Sequence, residues 1–265
     1  MWERVSLEPL AFVWRDFASR AECEGLVARA AAARDFTVAS GCQMTYGVEG
    51  FRRVMQLNGK TYAEVADDGE VEDDLEPAAA SLVRRFDEVV AKLLGTLPGT
   101  SQHSMQRVVH CTPRMEGAPA GLLNGLHVDT YNDEPRRYAT SLLYLRGIDV
   151  GGETLFATHE AGESLLAQGV ESTIADGGSE GDKRMLESAC RSLVPPSQGT
   201  LLLFFVRGAD GHVDPAAFHG SARPLSEDKW TLQTFWAAPV GARPVEFACS
   251  AHAHAFSNES VRLSE

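Results

Sequence analysis

Short segments with the character of β-strands, separated by Gly, Pro and Asp, dominate the chain beyond residue 100. The clearest of them are residues 104–111, 138–146, 199–206 and 229–237. Two helical segments precede them: Ser19 and Glu22 have the spacing of a capping box, and Pro77 opens a helix with an apolar stripe. This order predicts an all-β core with flanking helices, a sandwich or jelly roll braced by N-terminal helices.

The length of 265 residues, with 44% apolar and 23% charged residues, is typical of one globular domain. We expect residues 1–265 to form a single domain, in which 1–100 give mainly helical support and 101–245 form the jelly-roll core. A stretch at about 158–198 is rich in Gly, Ser and Glu, and a connection of this length predicts a functional insertion. Residues 246–265 lack periodicity and predict a frayed tail.

The charge balance excludes several classes of partner. Acidic residues outnumber basic ones by 37 to 24, which gives a net charge of −13. A negative surface repels phosphate backbones and anionic lipid, so we expect no nucleic acid and no membrane partner. The sequence has no long apolar run and no basic-then-apolar start. Five cysteines, without a C-x-x-C pair, predict no disulfide framework and a reducing cytoplasmic location.

Two histidines and an aspartate offer the ligand set of a metal site. His127 and Asp129 are two positions apart, and in a strand such residues point to the same face. His219 can supply a third ligand from 90 residues further along. Two imidazoles and one carboxylate are typical of the facial triad of non-haem Fe(II) oxygenases, which leaves three coordination positions open. Two of these suit a bidentate 2-oxo acid and the third suits O₂.

Lys229 adds a cation that a dicarboxylate co-substrate would need at its far end. With the two-residue period of a strand, its face continues through Thr231, Gln233 and Phe235. Tyr138, Thr140, Leu142 and Tyr144 are predicted to share a face in the same way. The alternative for Lys229 is a residue at a strand end whose ammonium group reaches solvent.

The order of four motifs then resembles the prolyl 4-hydroxylase branch of the Fe(II)/2-oxoglutarate-dependent dioxygenases. The motifs are H-x-D, R-x-x-T-x-x-x-Y-L, G-G-E-T-x-F and H-x₉-K-W, beginning at His127, Arg137, Gly151 and His219. The resemblance implies a double-stranded β-helix, a distorted jelly roll with supporting helices. It implies His127, Asp129 and His219 as iron ligands.

The same resemblance assigns residues to the co-substrate and the substrate. Lys229 would bind the C5 carboxylate of 2-oxoglutarate with help from Tyr144, and Thr140 and Gln233 are further candidates for that pocket. Arg137 matches a position that faces the substrate in some members. The family usually has tyrosine where His110 stands, so either His110 replaces that hydrogen bond or the pocket differs there.

These implications predict an enzyme that uses Fe(II), 2-oxoglutarate and O₂, with ascorbate considered as an additional requirement. Its reaction would be hydroxylation of an unactivated C–H bond of a small molecule or amino-acid-like substrate, with release of succinate and CO₂. The carboxylate of Asp129 favours hydroxylation over halogenation, while desaturation and cyclisation stay open. One alternative is a peptidyl or protein prolyl 4-hydroxylase. Another is a cupin-type metal- or ligand-binding protein without oxygen chemistry. The sequence leaves substrate, stereochemistry and oligomeric state open.

Overall fold

The computed structural model describes residues 1–32, 37–39, 42–46, 77–96, 102–112, 122–130, 137–167, 169, 190–238 and 242–263. The strands within this part of the chain are β1 Glu3–Leu7, β2 Leu10–Trp14, β3 Thr37–Ala39, β4 Cys42–Tyr46, β5 Gln102–Cys111, β6 Leu122–His127, β7 Arg137–Tyr144, β8 Thr154–Ala157, β9 Cys190–Ser192, β10 Leu201–Phe205, β11 His219–Ala222, β12 Lys229–Ala237 and β13 Arg262–Leu263. The helices are α1 Arg20–Ala32, α2 Pro77–Leu94, α3 His159–Ala167 and α4 Pro244–Phe256, with a 3₁₀ turn at Pro215–Ala217.

Two sheets build the double-stranded β-helix that the resemblance implies. The major sheet has nine strands in the order β13-β1-β2-β10-β7-β12-β5-β4-β3, and the minor sheet has four in the order β6-β11-β8-β9. Every pairing is antiparallel except that of β1 with β13. The central strands β7, β10 and β12 are buried along almost their whole length, because both faces of the major sheet are covered.

Alternate residues of these central strands enter two separate cores. Leu203, Phe205 and Trp236 pack with the helices on the outer face of the major sheet. Leu202, Phe204 and Tyr144 pack on the inner face, against residues of the minor sheet such as Phe156. The inner face therefore encloses the space between the sheets, while the outer core fixes the sheet to its helices.

The N-terminal helices pack as the sequence predicts. The backbone N–H of Ser19 donates to Glu22 Oε2 at 2.8 Å, and the backbone N–H of Glu22 donates to Ser19 Oγ at 3.3 Å, which completes the capping box of α1. Arg85 of α2 donates to Glu22 Oε1 at 2.9 Å and joins the two helices. This hydrogen bond lowers the pKa of Glu22 to about 2. The stripe of α2 is buried as expected, at Leu82, Phe86, Val90 and Leu93.

The four predicted strands correspond to β5, β7, β10 and β12, with ends that differ by two residues or fewer. The expectation of a frayed tail from 246 is wrong, because α4 occupies residues 244–256. Its Ala248, Ala251 and Ala255 are buried against the outer core. The helical support predicted for 1–100 is incomplete, because β1 and β2 form a hairpin within the major sheet. The sequence did not predict β2, because its apolar residues are buried on both faces and lack the alternation that indicates a strand.

The prediction of no disulfide framework is wrong at Cys111, which is disulfide-bonded. The strand register places Cys42 opposite Cys111, and no short cysteine spacing in the sequence indicates this proximity. Of the insertion at about 158–198, the structure describes both ends, which contain α3 and β9. Its middle, and residues 113–121 before the metal motif, lie outside the described residues. No helix in the described ranges is long and apolar enough to cross a membrane.

Candidate metal and co-substrate site

Three potential metal ligands meet at one end of the minor sheet. His127 is the last residue of β6 and His219 is the first of β11, and the two are paired across these strands. Asp129 follows two residues after His127. Donor atoms of the three side chains all lie within 4.8 Å of one another. His219 Nε2 is 3.3 Å from Asp129 Oδ2, and His127 Nε2 is 3.6 Å from Asp129 Oδ1.

Surrounding groups hold His219 and Asp129 in place. His219 Nδ1 donates to the carbonyl oxygen of Ala217 at 3.0 Å, which leaves the Nε2 lone pair for a cation. The rings of Phe156 and Phe204 pack against the His219 ring, with centroids 5.8 and 4.7 Å away. Thr140 Oγ1 donates to Asp129 Oδ2 at 2.6 Å. The side chains are therefore arranged before any ligand arrives.

The electrostatics of the cluster favour a cation. Burial raises the pKa of Asp129, but its interactions with the neighbouring imidazoles and the Thr140 hydroxyl outweigh burial and hold that pKa well below its usual range, so the carboxylate is ionised. Two imidazole nitrogens and one carboxylate oxygen are a donor set that Fe(II) accepts. The His127 side chain is 23% exposed, compared with 5% for Asp129 and His219, so the site opens on the His127 side.

A second cluster of polar groups lies deeper between the sheets. Lys229 is 5% exposed, and its Nζ donates to Ser221 Oγ at 2.6 Å. Ser221 is two residues beyond His219 on β11 and lies opposite Thr154 of β8. The hydroxyls of Thr154 and Tyr144 are hydrogen-bonded at 2.8 Å, and Lys229 Nζ is 5.9 Å from the centroid of the Tyr144 ring.

Burial sets the protonation of this second cluster. It lowers the pKa of Lys229 to about 8, with the negative charge of Glu153 acting in the opposite direction. It raises the pKa of Tyr144 to about 12, so the phenol keeps its proton. Two strand residues span roughly 7 Å, so His219 and the ammonium–hydroxyl cluster are separated by about the length of a five-carbon diacid.

Curated relatives of the chain are prolyl 4-hydroxylases of Arabidopsis thaliana. Probable prolyl 4-hydroxylase 6 is 25% identical over 247 residues, which cover 88% of this chain and 70% of that protein. Prolyl 4-hydroxylase 1 is 25% identical over 236 residues, with the same two coverages. A match over 88% of this chain spans positions 127–219, between which the His-Asp-His cluster lies. The chain is a prolyl 4-hydroxylase-like 2-oxoglutarate-dependent dioxygenase. No family model matches it.

Two solved structures align with most of the chain. A viral collagen prolyl hydroxylase from Paramecium Bursaria Chlorella virus-1 aligns with a TM-score of 0.46 and 15% identity, covering 86% of this chain and 95% of that one. HygX from Streptomyces hygroscopicus, solved with nickel and 2-oxoglutarate, aligns with a TM-score of 0.49 and 14% identity, covering 88% and 84%. Similarity of this degree carries no information on the substrate of this dioxygenase.

The identification excludes the alternative of a cupin-type protein without oxygen chemistry. The alternative position for Lys229, with its ammonium group in solvent, is also wrong, because the side chain is buried between the sheets.

Gln233 lies on the same strand face as Lys229, opposite Leu142 of β7 and between the two clusters. Arg137 lies at the other end of that face, where its guanidinium carbon is 4.3 Å from the centroid of the Phe235 ring.

Two predicted positions differ from the structure. His110 lies opposite Trp230, on the outer face of the major sheet, where the two rings stack with centroids 3.8 Å apart. Its Nε2 is 2.9 Å from Asp228 Oδ2. Neighbouring residues of a strand face opposite sides of the sheet, so Trp230 faces away from the pocket that Lys229 enters. His110 is paired with Trp230 and therefore does not line the pocket. Tyr138 does not share the face of Thr140, because a register shift beside it turns its ring into the outer core.

Two site residues escape the sequence prediction, although signals for both exist. Ser221 is two residues after His219 in a strand, and residues at this spacing point to the same face. The spacing argument applied to His127 and Asp129 therefore also predicts Ser221 on the face of His219. Thr154 is the threonine of the G-G-E-T motif. Thr140 was predicted in the co-substrate pocket, but its hydroxyl is hydrogen-bonded to Asp129.

Proposed function

We propose that the protein hydroxylates an unactivated C–H bond of a small, amino-acid-like substrate. In this reaction 2-oxoglutarate, O₂ and the substrate give succinate, CO₂ and the hydroxylated product. His127, Asp129 and His219 would hold the metal. When bound there, Fe(II) supplies the redox chemistry that couples oxidative decarboxylation of 2-oxoglutarate to oxidation of the C–H bond. The observation that carries the proposal is a buried Lys229 whose Nζ donates to Ser221, which lies two strand residues from the metal ligand His219.

The chain's own residues account for binding and orientation of 2-oxoglutarate. The Lys229 ammonium group would pair with its distal carboxylate, and Ser221, Thr154 and Tyr144 would donate hydroxyl hydrogen bonds. A buried carboxylate needs this number of partners, because desolvation of an unpaired charge is unfavourable. The buried ring of Phe156 packs beside His219 and gives this ligand an apolar neighbour.

Arg137 and Phe235 support an amino-acid-like substrate. They lie on the pocket face of β7 and β12, at the metal end, since Phe235 is paired with Thr140 and Thr140 is hydrogen-bonded to Asp129. The guanidinium group over the Phe235 ring presents donors that match a carboxylate. A substrate with a carboxylate near the reacting carbon fits this arrangement.

A peptidyl or protein prolyl 4-hydroxylase is the second candidate. The observation that favours it is the set of curated relatives, which are named as prolyl 4-hydroxylases. In that case Arg137 would donate to a peptide carbonyl oxygen in place of a free carboxylate. The two candidates therefore differ in the charge of the group that Arg137 binds.

Succinate release with a panel of substrates tests both candidates. Free amino acids, amino-acid-like metabolites and proline-containing peptides are each added to protein supplied with Fe(II), 2-oxoglutarate and O₂. A hydroxylated small acid would support the first candidate, and a hydroxylated prolyl peptide the second. His127→Ala and Asp129→Ala should each abolish substrate-dependent succinate. Turnover at the wild-type rate in either variant would show that the ligand set is wrong.

A further inference from the structure

A buried hydroxyl contacts the carboxylate of the metal site from the major sheet. Thr140 is fully buried on β7, and its Oγ1 donates to Asp129 Oδ2 at 2.6 Å. Oδ2 also lies 3.3 Å from His219 Nε2, whereas the other oxygen, Oδ1, lies 3.6 Å from His127 Nε2 and accepts nothing from Thr140. The two oxygens of Asp129 therefore have different surroundings, and the hydroxyl of Thr140 bonds one of them and not the other.

The position of this hydroxyl is fixed by its strand. Thr140 is paired with Phe204 of β10 on one side and with Phe235 of β12 on the other. Threonine is branched at Cβ, and a branched side chain packed between neighbours on a pleated surface has few rotamers available. The donor therefore stays aimed at Asp129 Oδ2 and does not need to be ordered when a metal binds.

The number of carboxylate oxygens on the metal decides how much room is left for reactants. Two imidazoles and one oxygen fill three of six positions, which leaves two for a bidentate 2-oxo acid and one for O₂. If both oxygens of Asp129 bound the metal, only two positions would stay open. A hydrogen bond that occupies Oδ2 favours binding through Oδ1 alone.

We propose that Thr140 is a positioning residue that holds Asp129 as a one-oxygen metal ligand and so keeps the third open position free. This inference rests on the proposed function, because it takes Fe(II) and 2-oxoglutarate as the groups bound. It gives Thr140 a role on the metal ligand in place of the predicted role on 2-oxoglutarate. Thr140 acts through Asp129 and contacts neither reactant.

Nitric oxide is a suitable probe, because it binds Fe(II) at the position that O₂ would take. Wild-type protein and Thr140→Val are loaded with Fe(II) and 2-oxoglutarate without oxygen and titrated with nitric oxide, and the complex is followed by electron paramagnetic resonance. Valine keeps the shape and removes the donor. We expect nitric oxide binding to weaken about 10-fold or more, comparable to the loss of metal affinity or activity when partners of metal ligands are removed. Thr140→Ser, which restores a hydroxyl, should bind within about two-fold of wild type on the same scale.

Thr234→Val is the matched control. Thr234 is fully buried on β12, and its Oγ1 has no hydrogen-bond partner among the described residues, so its removal changes no contact to the metal site. Nitric oxide binding should equal that of wild type. Unfolding curves of the metal-free variants check that each is folded, and Thr140→Ala carries the same expectation if Thr140→Val does not fold.

Equal nitric oxide binding in Thr140→Val and wild type would overturn the role of Thr140, even if Fe(II) affinity falls. Failure of Thr140→Ser to restore binding would also overturn it. If wild-type protein binds Fe(II) but no 2-oxoglutarate, the proposed function is wrong. In that case the role of Thr140 is overturned with it, because the role takes 2-oxoglutarate as a bound group. Normal 2-oxoglutarate binding in wild type with equal nitric oxide binding in Thr140→Val would instead overturn the role of Thr140 alone.

Discussion

Replacing Lys229 with methionine should have opposite effects on the stability of the ligand-free protein and on its affinity for 2-oxoglutarate. Methionine keeps a flexible apolar side chain of similar length and removes the ammonium group. Without 2-oxoglutarate, that group is buried with Ser221 Oγ as its hydrogen-bond partner at 2.6 Å. With 2-oxoglutarate bound, we expect it to pair with a carboxylate. The substitution thus removes an unfavourable buried charge from the ligand-free protein. In the 2-oxoglutarate complex it removes the charge that pairs with the carboxylate.

The stability gain follows from the pKa of Lys229. Burial lowers this pKa from 10.5 to about 8. Each step of one in pKa corresponds to about 1.36 kcal/mol, so keeping the amine charged in the ligand-free fold costs roughly 3 kcal/mol at neutral pH. Loss of the hydrogen bond to Ser221 offsets roughly 1 kcal/mol. The free energy of unfolding of ligand-free Lys229→Met should therefore rise by about 2 kcal/mol, and its Tm by about 2–4 °C per kcal/mol.

The loss of affinity is larger. Removing one partner of a buried ion pair is unfavourable by roughly 3–5 kcal/mol. Since about 1.4 kcal/mol corresponds to a factor of ten, the Kd for 2-oxoglutarate should rise by roughly 100- to 3000-fold. Denaturant unfolding of the metal-free protein measures the free energy of unfolding. Calorimetric titration of the Fe(II)-loaded protein under anaerobic conditions measures the Kd for 2-oxoglutarate. Lys92→Met, at an exposed position of α2, should change neither.

The same lysine predicts two pH dependences. Between pH about 8 and about 10.5, Lys229 has lost its proton in the folded protein but keeps it in the unfolded chain. The free energy of unfolding of the ligand-free protein should therefore rise with pH in this window. Affinity for 2-oxoglutarate should fall above pH about 8, because the ammonium form is needed. Destabilisation of ligand-free Lys229→Met, together with unchanged 2-oxoglutarate affinity, would refute the reasoning.

Four further substitutions test other parts of the structure. Gly162→Ala should destabilise the protein by about 1–3 kcal/mol, because its Cβ would lie 1.8 Å from the carbonyl oxygen of Pro215 in the turn before His219. Gly25→Ala, with no atom within 4 Å of its Cβ, should instead stabilise by roughly 0.5–1 kcal/mol, and both are measured by denaturant unfolding. Phe86→Ala should lower the free energy of unfolding by roughly 3–5 kcal/mol, since Phe86 is fully buried. His110→Ala should leave the 2-oxoglutarate Kd unchanged in calorimetry, and a large increase would place its ring in the pocket.

The strands and the metal cluster were predictable because each leaves a local pattern. β12 has a two-residue period that identifies the face of Lys229, and His127 and Asp129 have the spacing of one strand face. The helix α4 left no such pattern, because its buried positions are alanines, whose small apolar surface hardly differs from that of their neighbours. Buried β2 has the opposite difficulty, since an unbroken apolar run does not distinguish a strand from other buried segments.

Errors at individual site residues have a different cause. Assigning a residue to a face needs the strand register, and one shift reverses the assignment. The shift near Ala237 turns Tyr138 outward, and the alternation of β5 places His110 behind the sheet. The role of Thr140 needs the distance to Asp129, which comes from a different segment of the chain. Such cross-strand contacts follow from the assembled sheets and not from spacing along one strand.

The strand order also bears on how the protein is made. The hairpin of β1 and β2 has its partner strands in β10 and β13, about 190 and 260 residues later in the chain. A ribosome adding roughly 5–20 residues per second therefore completes the hairpin many seconds before its partners emerge. During that interval the apolar side chains of β2 have no native cover and are a natural target for chaperones. Contacts between such distant segments also predict slow folding in vitro.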